Sequence, residues 1–217
     1  GLNLKIQYWT SRGFAVVDIN YRGSTGFGRS YRQSLVGAWG IADVQDSQSA
    51  IDYLTTEKKI DPERCIIRGG SAGGYTVLSA LTFTDTFKAG ASLYGIGDLE
   101  TLATDTHKFE SRYMDSLIGP YPERKDIYIA RSPIHHAEGL NCPVIFLQGL
   151  EDKVVPPNQA EMMVELLEEK GIKVGHVTFP DEGHGFRKAA NIIRAMESEL
   201  AFYTEVFSLT DKNSGID

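Results

Sequence analysis

Ser71, Asp152 and His184 supply a hydroxyl, a carboxylate and an imidazole, the groups that together turn an alcohol into a nucleophile. Ser71 sits in Gly69-Gly70-Ser71-Ala72-Gly73, a G-x-S-x-G pattern between a short apolar run and a helix-like stretch. That context makes the pattern a nucleophile elbow. A strand turning at once into a helix strains the serine backbone, and bulk beside it would collide with strand or helix. The hydroxyl then projects above the carboxyl ends of the strands. The N–H of Ala72, at the positive end of the helix, is placed to donate to an oxyanion. The competing reading is a tight turn with Ser71 as an ordinary helix cap.

A serine hydroxyl needs a base, and the base needs an orienting carboxylate. "FLQGLEDKVVPP" places Asp152 in the loop after a strand, and "FPDEGHGF" places His184 between two glycines after the next one. Glu151 would point away from its neighbour in an extended segment, and Asp181 and Glu182 are expected on a solvated loop. His107, His135, His136 and His176 lack the loop-after-strand setting. Adjacent residues such as His135 and His136 seldom chelate together outside a helix, so no metal and no cofactor are expected. The loop "YRGSTGFGRSY" lacks G-x-G-x-x-G and G-K-S/T, which leaves a structured turn, with substrate contact by Arg22 or Arg29 as the alternative.

These residues require a scaffold that brings strand ends to one edge. The continuous apolar, β-branched run at 14–20 predicts a strand covered on both faces. A helix is predicted before it, over 4–9, and further helices over 42–55, 72–82, 157–170 and 191–207. Strands are predicted near 65–70, 89–95, 143–149 and 173–180, with a long irregular stretch over 98–140. Helix and strand alternate, which predicts one α/β domain over 1–217 with a mostly parallel sheet and helices on both faces.

Bulk properties bound the function. Of 217 residues, 41% are hydrophobic and 24% charged, so disorder is not expected. A net charge of −7 without clustered Lys and Arg argues against a nucleic-acid surface. No apolar stretch approaches the roughly 18 residues of a membrane span. The only two cysteines, Cys65 and Cys142, read as buried free thiols, compatible with a reducing, cytoplasmic location. The first residue is Gly1 and no signal peptide follows, so the chain is expected to begin within a longer protein. Oligomeric state does not follow from these residues.

"DINYRGSTGFGRSY", "GGSAGGY", "GLEDKVVPPNQAEMM" and "DEGHGF", in this order, resemble the catalytic domain of the prolyl oligopeptidase family of serine peptidases, near its acylaminoacyl and dipeptidyl aminopeptidase branches. The resemblance runs from about Phe14 to Phe207. It implies an α/β-hydrolase fold and cleavage of short peptides through an acyl-enzyme. Ser71 would be the nucleophile, Asp152 the orienting carboxylate and His184 the base. It also implies that Val154 and Val155 line an apolar substrate pocket. Family members carry an N-terminal β-propeller and a second oxyanion donor in an early glycine-rich loop. Neither is found in these 217 residues, so the N-terminal strands are expected to be missing too. A carboxylesterase on the same fold and a non-catalytic interaction module are the alternatives. Exopeptidase and endopeptidase action are not separated by these residues.

Overall fold

The computed structural model describes residues 2–105 and 112–209. In chain order the helices are α1 Leu4–Thr10, α2 Gly28–Gln33, α3 Ala42–Thr56, α4 Ala72–Phe83, α5 Leu99–Asp105, α6 Tyr113–Leu117, α7 Lys125–Arg131, α8 Asn158–Glu169 and α9 Ala189–Val206. The strands are β1 Ile66–Gly70, β2 Ala89–Leu93, β3 Val144–Gly149 and β4 Val174–Phe179, and they form one parallel sheet in the order β1-β2-β3-β4.

Strand periodicity divides the side chains between two cores. Val144 and Phe146 of β3 point to a layer made by α3, α4 and α8, where Val44, Val77, Leu78, Leu81, Met163 and Leu167 are buried. Their neighbours Ile145 and Leu147 point the other way, toward Trp9 of α1 and Ala195, Phe202 and Tyr203 of α9. Each fully buried side chain of this kind contributes about 1.5–3 kcal/mol. Gly90 of β2 has a steric reason. A Cβ there would lie 2.5 Å from Leu81 Cδ1, so glycine lets α4 close on the sheet.

Arg68 breaks the apolar character of β1. Its guanidinium pairs in bidentate fashion with Glu199 of α9 at 2.7 and 3.0 Å, and Tyr203 donates to the same carboxylate. Glu199 is 1% exposed, so without Arg68 it would be a buried, uncompensated charge.

Two expectations are corrected. Residues 14–20 are not a strand, and Val16 and Val17 are 40% and 45% exposed. A strand requires a hydrogen-bonded neighbour, and among the described residues β1 pairs with β2 alone. Between Phe14–Ile19 and the free edge of β1 lies a cleft of about 1520 Å³, bordered by Ile66, Ile67 and Arg68. The run therefore has strand composition without a partner.

The stretch 98–140 is also more ordered than predicted: it contains α5, α6, α7 and a 3-10 segment, Pro133–Gly139. These elements bury Leu99, Leu102, Met114, Ile118 and Tyr128 against Trp39 and Tyr75, forming a third apolar cluster beside the N-terminus of α4. The loop at 21–31 likewise runs into α2.

Candidate active site

β1 runs directly into α4, and Ser71 at the junction has φ 56° and ψ −120°. A non-glycine residue there is strained. The position is over-determined: Ser71 N–H donates to Leu93 O at 2.9 Å and Tyr75 N–H to Ser71 O at 3.1 Å. A Cβ on Gly69 would meet Gly73 O at 2.5 Å, and one on Gly74 would meet Gly95 Cα at 2.6 Å. Gly73 differs, because nothing lies within 4 Å of its would-be Cβ. Ser71 makes no side-chain cap, so its hydroxyl is not spent on the helix. Ala72 opens α4, whose first N–H groups lack intrahelical acceptors.

The hydroxyl meets an imidazole instead: Ser71 Oγ lies 2.8 Å from His184 Nε2. On its other side, His184 Nδ1 lies 2.8 Å from Asp152 Oδ2. The Asp152 side chain is fully buried and that of His184 is 24% exposed. Assigning the ring proton to Nδ1, toward the carboxylate oxygen, leaves Nε2 to accept from the serine. Asp152 Oδ1 accepts from Val154 N–H and Val155 N–H, both at 2.9 Å, which fixes the carboxylate plane. Gln148, buried in β3, donates to Gly149 O and Val155 O and braces the same loop.

The remaining sequence candidates separate clearly. Val154 is half-buried, whereas Val155 is 2% exposed and packs in the third apolar cluster. Glu151 is exposed. Asp181 pairs with Lys188 at the surface, but Glu182 is 3% exposed, which corrects the expectation of a solvated position. Arg22 is bound to Asp46, Gln45 and Ala42 O, and Arg29 lies in the exposed first turn of α2. His107 lies outside the described residues. Among the described residues no three His, Cys, Asp or Glu side chains group to hold a metal ion. Cys65 and Cys142 are free, and burial pushes the Cys142 thiol up to about 11.

Two neighbours gave no distinct signal in the sequence. Tyr94, the residue after β2, has φ 41°, and its ring stands edge-on to His184 at 5.0 Å and to Phe186 at 5.4 Å. Gly70 makes room for that ring, since a Cβ would come within 2.9 Å of it. Asp43, 2% exposed, accepts from Gly40 N–H and from the Thr76 hydroxyl on α4. Burial raises its carboxyl above the ordinary range, partly offset by the Thr76 bond.

A parallel sheet that carries a serine at a strained strand-to-helix turn, with histidine and aspartate at later strand ends, defines the α/β-hydrolase class. Comparison with known proteins narrows this. The profile of the Prolyl oligopeptidase family matches residues 1–210. Dipeptidyl aminopeptidase BIII of Pseudoxanthomonas mexicana is 32% identical over 191 residues, 85% of this chain and 28% of that enzyme. The acylamino-acid-releasing enzyme of Arabidopsis thaliana is 32% identical over 188 residues, 82% of this chain and 24% of that enzyme. A solved puromycin-hydrolyzing peptidase of Mycobacterium tuberculosis superposes with a TM-score of 0.95 at 48% identity, covering 100% of this chain and 33% of its own. This chain belongs to the prolyl oligopeptidase family. It spans about a third or less of the length of these relatives.

Proposed function

We propose that this chain is the catalytic domain of a serine peptidase that cleaves short peptides through an acyl-enzyme. The observation that carries the reading is the pair of 2.8 Å contacts linking Asp152, His184 and Ser71 at a strained turn. Ser71 Oγ attacks the scissile carbonyl while His184 Nε2 takes its proton. The Ala72 N–H supports the oxyanion, and Asp152 stabilises the imidazolium. His184 then protonates the leaving amine. A water activated by the same imidazole attacks the ester, and the serine is released.

Val154 supplies an apolar wall for the residue on the acyl side, with Val155 packed behind it. Peptide substrates are supported by the peptidase relatives and by the absence of any basic cluster matched to phosphates. Two free cysteines are compatible with a reducing, cytoplasmic location, and no helix among the described residues is long and apolar enough to cross a membrane. We also infer that residues 1–217 act within a longer chain with an N-terminal β-propeller. The length of the relatives supports this, as does the free edge of β1, which is suited to a further strand.

A fluorophosphonate probe on the full-length protein tests the central claim. Labelling is expected at Ser71 and lost in Ser71→Ala, while labelling elsewhere or none at all overturns the reading. Faster turnover of an aminoacyl anilide than of a short-chain aryl ester separates peptidase from esterase.

A further inference from the structure

The loop bearing His184 is closed by a buried carboxylate. Glu182 lies two residues before the imidazole, and every hydrogen-bond partner of its side chain is neutral. Its Oε2 accepts from Arg187 N–H at 3.1 Å, and its Oε1 accepts from Lys188 N–H and from Asn191 Nδ2, both at 2.9 Å. All three donors follow His184 in the chain and lead into α9, so the carboxylate ties the loop's beginning to its end with the imidazole between. The same residue faces the aspartate loop through its backbone. Glu182 O accepts from Glu151 N–H at 2.9 Å, one residue before Asp152. Gly149 permits this approach, because a Cβ there would stand 2.4 Å from that oxygen. One residue therefore touches both loops that converge on the imidazole.

We propose that Glu182 is a positioning residue that holds His184 on the line between Ser71 and Asp152. This rests on the peptidase reading of those three residues. An acceptor-only group suits the task, because donors approach both oxygens. Glutamine would keep Oε1 toward Lys188 and Asn191 but turn an NH2 toward the Arg187 N–H, losing one bond and setting two donors face to face. The loop then has freedom at the imidazole, where displacement by about 1 Å costs on the order of 100-fold in rate.

The test compares Glu182→Gln and Asn191→Ala with Asp181→Asn in the full-length protein. Asp181→Asn removes the surface charge that pairs with Lys188 but keeps an amide oxygen for Asn191 Nδ2, which Asp181 Oδ1 also accepts from, so the three bonds to Glu182 stay in place. Long-range proton–nitrogen NMR of the histidine rings reports the tautomer and line width of His184, and the rate of fluorophosphonate labelling reports its action as base. In Glu182→Gln the His184 signals are expected to shift and broaden. Labelling and kcat are expected to fall about 10- to 100-fold with KM within about twofold. Asn191→Ala is expected to show the same changes at smaller size, and Asp181→Asn to match the wild type.

Wild-type His184 signals and labelling in Glu182→Gln overturn the inference. If Glu182→Gln does not fold, Asn191→Ala, which leaves both main-chain bonds, decides by the same readouts. If the wild type is not labelled at Ser71, the peptidase reading fails, and the NMR comparison still decides whether Glu182 holds the imidazole.

Discussion

Ser71 reaches His184 at 2.8 Å from a backbone held at φ 56°, so the contact across 113 residues of chain is made from a strained position. Alanine at this position keeps a Cβ and hence the strain, whereas glycine removes both the hydroxyl and the strain. Both variants are expected to lose activity by about 10⁶-fold. Ser71→Gly is expected to be more stable than Ser71→Ala by about 1 kcal/mol, after allowing for the greater chain entropy of glycine. Denaturant unfolding of the two variants checks this, and the reverse order would mean that the turn stores no strain.

Asp152→Asn should separate geometry from proton placement. Its Oδ1 can still accept from Val154 and Val155, so the loop persists. The new NH2 forces His184 Nδ1 to accept and puts the proton on Nε2, facing the serine the wrong way. A loss of about 10⁴ in kcat is expected with a folded protein, measured by steady-state kinetics and circular dichroism.

Adjacent glycines of the elbow should respond with opposite signs. Gly74→Ala drives a Cβ against the Gly95 backbone and is expected to cost about 1–3 kcal/mol. Gly73→Ala meets open space within a helix and is expected to gain about 0.5–1 kcal/mol. Shifts of the unfolding midpoints in opposite directions would verify the contrast.

Asp43 gives a pH signature. Burial holds its folded pKa above the unfolded value of about 3.9, so the unfolded state ionises first as pH rises. Stability contributed at this site is present below about pH 4 and is lost as pH rises through the folded pKa. Asp43→Asn removes that term while keeping an acceptor for Gly40. The stability of Asp43→Asn relative to the wild type should therefore increase with pH from about 4 upward. Urea unfolding across that range is the measurement, and parallel curves would contradict it.

Much of the scaffold is legible in the chain. The runs at 143–149 and 173–180 become β3 and β4, and the periodic stretches at 42–55, 157–170 and 191–207 become α3, α8 and α9 within two residues at each end. Burial on both faces leaves a clear mark on composition in such elements. Residues 14–20 carry the same mark, yet strand identity also needs a partner, which composition does not encode. In 98–140 the helices are too short to show a period, and proline and glycine lie between them. A carboxylate in a loop ordinarily reads as solvated, and the burial of Glu182 depends on donors at and just before the start of the helix that follows it. Tyr94 is unremarkable in sequence, and its contact with His184 exists only once β2 lies between β1 and β3.

Among the described residues the outer edge of β1 is unpaired, and this strand leads into Ser71. A row of unpaired main-chain groups is a template for whichever strand zips onto it. β1 flows straight into Ser71, so that strand would grip the residues just ahead of the serine through its own backbone. A segment with no reacting group of its own would then act as a tenon in the mortise beside the elbow, and the placement of Ser71 would answer to its seating.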